Sequence, residues 1–159
     1  MIITSTIIGA LLLREKRKQA RGEMTLLGYH DAGMVVLGSS CAVASYPESY
    51  TGQTVGNGQC VTYVKAVTGA PASSEWSEGQ KVRGANLARG TAIATFQNGQ
   101  YQNRTDGSSH AAIYLSQDAD GIQVMDQWYG QPVHTRTIRF KGGSGMPVND
   151  GDAFSVVLA

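Results

Sequence analysis

Residues 56–69, "GNGQCVTYVKAVTG", set a glycine-rich turn against a helix and put a cysteine at the join. Apolar positions 60, 61, 64 and 67 recur at helical spacing and Gly69 stands where the pattern stops, so a helix over 59–67 is predicted. Cys60 falls in its first turn. Unpaired backbone N–H groups and the helix dipole there favour the thiolate, the form in which a cysteine is nucleophilic.

Outward from this helix the chain is punctuated by turns. Residues 35–58 hold short apolar pieces broken by Gly, Ser and Pro and read as a loop with at most a short helix. "WSEGQKVRGANLARG" (76–90) reads as a short helix and a glycine turn, and "TAIATF" (91–96) as a first strand. A polar connection leads to "HAAIYLS" (110–116), a second strand with His110 at its entrance. "QDADG" is a hairpin turn; "IQVMDQWYG" (122–130), "VHTRTIRF" (133–140) and, after a glycine-rich loop, "AFSVVLA" (153–159) are further strands. The order predicts an α+β fold, a helical part first and an antiparallel meander after it.

Composition bounds the rest. At 159 residues and 42% apolar the chain supports one core, and 20 glycines argue against a helical bundle. A net charge of +1, with the basic residues concentrated in 14–21, excludes a broad nucleic-acid surface, so no nucleic-acid partner is expected. The apolar run 1–13 precedes the basic cluster, the reverse of a secretory signal, and is shorter than the roughly 20 residues that span a bilayer. Residues 1–23 are therefore expected to be a poorly ordered extension without stable membrane insertion, and 24–159 a single domain.

A thiolate nucleophile needs a base, and a histidine at the mouth of a strand facing the helix end supplies it: His110. A third polar group orients the imidazole, for which the adjacent strand offers Asp126 and Gln127. Successive strand residues point to opposite faces, so only one can serve; Asp126 is preferred because a carboxylate also stabilises the imidazolium.

"GQCVTYV" (58–64) resembles the "GQCTWYV" signature of CHAP domains, the cysteine- and histidine-dependent amidohydrolases grouped with NlpC/P60 proteins in the papain-like class. Gly58, Gln59, Cys60, Tyr63 and Val64 match it; "SSHAAIYLS" and "VMDQWYG" are similar to its histidine and third-residue segments. Thr62 stands where the family has tryptophan, which implies a different substrate groove. The resemblance implies a papain-like fold and a cysteine amidase or endopeptidase with Cys60 as nucleophile, His110 as base and Asp126 as orienting group. The Cys60 N–H and the Gln59 side chain are the oxyanion donors it implies, with Gln127 and Trp128 as further substrate-binding candidates, and no metal or cofactor is required.

More loosely, size and segment order resemble the papain-like amidases that bacteria deliver into rivals by type VI secretion. That implies a peptidoglycan stem peptide or crosslink as substrate and an immunity protein in the producer. It also implies export from the producer's cytoplasm by a non-Sec route and action in the target's periplasm. A protease acting on a target-cell protein, and a non-catalytic wall-binding module of the same fold, are the competing readings. Among the remaining polar residues, "DADG" (118–121) is a turn rather than a calcium loop, His30 and His134 are surface residues, and Cys41 is a structural thiol, though an oxidising compartment would allow a bond to Cys60.

Overall fold

A computed structural model describes residues 27–29, 35–37 and 40–159. The expectations for residues 1–23 and for His30 beside Asp31 lie outside the described residues. Contacts divide the chain at Ser40–Cys41 into two units. In the first, β1 (Leu27–Tyr29) pairs antiparallel with β2 (Val35–Leu37).

The second unit holds α1 (Cys60–Thr68) and a sheet of β3 (Ser77–Lys81), β4 (Ala92–Thr95), β5 (Ala111–Gln117), β6 (Gly121–Trp128), β7 (Gln131–Arg139) and β8 (Phe154–Leu158). It is α+β, with all six strands antiparallel in the order β3-β8-β4-β5-β6-β7. The helix ends as its sequence demands: Gly69 adopts φ 72°, and its N–H returns to the Lys65 carbonyl at 2.9 Å. The β5–β6 turn is closed by Asp118, whose Oδ1 accepts from Asp120 N at 2.8 Å and Gly121 N at 3.1 Å. That carboxylate is occupied by the turn.

Two expectations change. "SEGQK" is an edge strand rather than a short helix, because β8 supplies the pairing partner that its polar sequence does not announce. The closing strand does not extend the meander: β8 returns between β3 and β4, with Ile93 opposite Val156 and Thr95 opposite Phe154.

Side chains alternate across this sheet and build a core on each face. One packs against α1 and includes Val61, Tyr63, Val64, Ile113, Met125 and Val157; the other includes Val82, Ile93, Tyr114, Ile122, Val124 and Phe154. The approach to α1 is pinned from the side, since the Tyr63 hydroxyl donates to the Pro47 carbonyl at 2.7 Å. Among the described residues no helix is long and apolar enough to cross a membrane.

Candidate active site

Cys60 is the first residue of α1, after Gln59 in extended backbone (ψ 150°) and Gly58 at φ 82°. His110 enters β5, its backbone held to Thr95 on both sides: its N–H donates to Thr95 Oγ1 and its carbonyl accepts from Thr95 N, each at 3.0 Å. Cys60 and His110 line one cleft of about 470 Å³ with Gln59, Arg104, Trp128 and Tyr129. Asp126 on β6 is fully buried behind it, its Oδ2 at 2.7 Å from His110 Nε2. That leaves Nδ1 of the ring for the sulfur.

Electrostatics follow from this placement. Burial pushes the Cys60 thiol up, but hydrogen bonding and charge from His110, then the Tyr101 hydroxyl and the Ala111 amide, bring it below its ordinary value. Burial opposes charge on His110, and the hydrogen bond to Asp126, followed by the interaction with Cys60, more than offsets it and raises the imidazole to about 9. For Asp126 too, burial disfavours the charge, yet His110 and then Arg136 hold the carboxyl below the usual range. Cys60, His110 and Asp126 stand in sequence with shifts that favour thiolate, imidazolium and carboxylate, and such a chain can attack a carbonyl carbon and hand a proton to a leaving amine.

Of the residues expected at the site, Cys60, His110, Asp126, Gln59 and Trp128 gather at the cleft. Trp128 is 40% exposed and meets the His110 ring edge-on at 6.3 Å between centroids. Gln127 does not join them. It is fully buried on the opposite face of β6, where its Oε1 accepts from Val55 N at 2.9 Å and its Nε2 donates to Val55 O, Gln59 O and Thr62 Oγ1 at 2.9, 2.8 and 3.0 Å. The strand pleat turns Gln127 toward the loop that carries Cys60, and its side chain does not line the cleft.

Thr62 belongs to that same belt, donating to the Gln59 and Val55 carbonyls at 2.7 and 2.8 Å and packing where a Cβ on Gly56 would stand 3.1 Å away. It does not line the cleft, so the exchange of tryptophan for threonine acts on the loop and not on the groove.

Three contributors escape a reading of local pattern. The Tyr101 hydroxyl lies 3.6 Å from Cys60 Sγ, Arg136 Nε donates to Asp126 Oδ2 at 2.8 Å, and His134 Nδ1 stands 3.8 Å from Asp126 Oδ1. His134 is thus a half-buried neighbour of the carboxylate rather than a plain surface residue. Its register opposite Asp126, with Arg136 two residues on, is the signal that would have found both. Cys41 and Cys60 are free thiols. Trp76 is core, buried and tilted on Tyr101 at 5.3 Å.

Residues 33–157 match the family described as domesticated amidase effector 2. The type VI secretion amidase effector 2 protein of Salmonella typhi is 36% identical over 119 residues, which cover 66% of this chain and 89% of that protein. Domesticated amidase effector 2 of Ixodes scapularis is 36% identical over 138 residues, covering 79% of this chain and 94% of that protein. Among solved structures, type 6 secretion amidase effector 2 superposes with a TM-score of 0.63 at 34% identity, covering 74% of this chain and 94% of that one. The likeness to type VI amidase effectors therefore holds across fold and sequence. The chain belongs to the domesticated amidase effector 2 family and is an amidase.

Proposed function

We propose that this amidase is a papain-like cysteine hydrolase that cuts a peptide amide bond of bacterial peptidoglycan, in a stem peptide or a crosslink. One observation carries the reading: Cys60 and His110 line a single cleft and His110 is backed at 2.7 Å by Asp126. Cys60 thiolate adds to the carbonyl carbon, and the oxyanion is held by the Cys60 N–H at the helix start with the Gln59 side chain as second donor. The tetrahedral adduct collapses as His110 protonates the departing amine, leaving a thioester. Water, giving a proton to His110, then releases the carboxylic acid and restores the thiolate and imidazolium pair. Asp126 fixes the imidazole tautomer and stabilises its charge. The exposed aromatic faces of Trp128 and Tyr129 at the cleft supply apolar contact to a bound peptide.

The relatives' names support an effector exported through type VI secretion; action in a target cell's periplasm and restraint by an immunity protein in the producer complete this proposal. The test is cleavage of purified peptidoglycan fragments, and in parallel of a cell lysate, with products identified by mass. Pairs of muropeptide products whose summed mass exceeds the substrate by one water are expected from the wild type and from Cys41→Ala. A loss of roughly a thousandfold or more is expected from Cys60→Ala. Products from the lysate alone would replace the wall substrate by a protein, and equal loss in both variants would give the cysteines a folding role instead.

A further inference from the structure

The geometry points to Arg136 as a positioning residue of this site, one that locks the Asp126 carboxylate onto His110 and away from His134. This rests on the proposed roles of Cys60, His110 and Asp126. The carboxylate lies between two imidazoles: Oδ2 is 2.7 Å from His110 Nε2, and Oδ1 is 3.8 Å from His134 Nδ1. Oδ1 is buried and has no hydrogen-bond partner. A bare buried carboxylate oxygen is costly, so rotation of the carboxylate toward His134 would be favoured if Oδ2 were free to move.

Arg136 prevents that. Its Nε donates to Oδ2 at 2.8 Å, and its two remaining nitrogens are spent on the wall of the cleft, one donating to Asn149 Oδ1 at 3.2 Å and the other to the Val148 carbonyl at 3.3 Å. The guanidinium carbon also sits over the Trp128 ring, 5.1 Å from its centroid. A planar fork held at three acceptors and stacked on an aromatic face cannot follow a rotating carboxylate. The groups around His110 are otherwise Cys60 from α1, Asp126 from β6, and the Trp128 and Phe154 rings, so Arg136 and His134 reach it through Asp126.

Charge and position make opposite predictions here. As a mere cation Arg136 repels the imidazolium, and its removal would strengthen the thiolate and imidazolium pair. As a clamp, its removal lets the carboxylate leave His110 and weakens that pair.

The experiment is the pH profile of Cys60 alkylation by iodoacetamide in a Cys41→Ala parent, from pH 5 to 9, with circular dichroism as the folding control. Arg136→Gln is expected to slow alkylation at pH 6 by about tenfold or more, one pKa unit, with an alkaline shift of the profile. Arg136→Lys, which keeps the charge without the three-way fork, should shift in the same direction. Adding His134→Phe to Arg136→Gln should restore part of the rate, because the competing imidazole is gone. An unchanged or acid-shifted profile in Arg136→Gln, a parental profile in Arg136→Lys, or no recovery in the double variant would overturn the proposal. Should Arg136→Gln fail to fold, Arg136→Lys decides. A parent that alkylates like an ordinary thiol would instead overturn the reading of Cys60 itself, and that is seen before any Arg136 variant is compared.

Discussion

At the scale of single residues, Cys60 and His110 trade a proton between folded and unfolded chains, and the signs can be followed. His110 is raised from 6.5 to about 9, so its own contribution to stability is complete below pH 6.5 and is lost as pH climbs through about 9. Cys60 is lowered from 9.0, so its contribution is present above that value and is lost as pH falls through the depressed one. Above both 6.5 and the depressed thiol value, and up to about 9, the unfolded pair keeps one proton on sulfur and the folded pair keeps one on the imidazole. The two slopes cancel. Urea midpoints of the wild type should therefore be flat across that window and fall toward acid, where Asp126 adds its own loss as pH drops through its lowered value. In Cys60→Ala the cancellation disappears while Asp126 still raises His110, and the midpoint should decline as pH rises; a flat profile in that variant would count against the ion pair. The placement of Cys60 and His110, the proposed nucleophile and base, was legible because each sits at the start of an element whose pattern is local. Tyr101 and Arg136 were not, since their partners lie on elements brought alongside only by the finished sheet.

Individual elements show the same division. α1 and its glycine stop, the β5–β6 hairpin and the strands β4 to β7 follow from periodicity and turn residues within short windows. β3 does not, because "SEGQK" has no apolar alternation and becomes a strand only by pairing with β8. Strand β6 carries the clearest lesson. Alternation correctly assigns Asp126 and Gln127 to opposite faces, but what waits on the second face is a loop far away in sequence, and four hydrogen bonds to it make Gln127 an anchor. Gln127→Ala strands the Val55 N–H, at about 1–3 kcal/mol if it stays dry, while the Val55 and Gln59 carbonyls lose one donor each and keep the Thr62 hydroxyl. A fall in unfolding free energy of about 1–3 kcal/mol is expected by urea denaturation. Slower alkylation of Cys60 should accompany it, because the turn before α1 loses its tether; a variant as stable as the wild type would show that water takes over the anchor.

For the whole molecule the decisive feature is the return of β8 between β3 and β4, a pairing no local signal in "AFSVVLA" specifies. Phe154 leads that strand, is fully buried in the core opposite α1, and sets its ring edge-on to His110 at 6.5 Å between centroids. Phe154→Ala should cost about 3–5 kcal/mol in urea denaturation, the range for emptying a buried aromatic site. A loss below about 1 kcal/mol would mean the cavity collapses, and with it the idea that this core supports the histidine. Both cores meet in β6, and its two consecutive residues reach outward like the jaws of a caliper: Asp126 grips His110, Gln127 the turn that presents Cys60. Sulfur and imidazole are therefore gauged by one stretch of pleat, and both lose their gauge when that strand melts. The activated rate of Cys60 alkylation should in this sense be a property of the cooperative unit, gained when the sheet closes and lost when it melts.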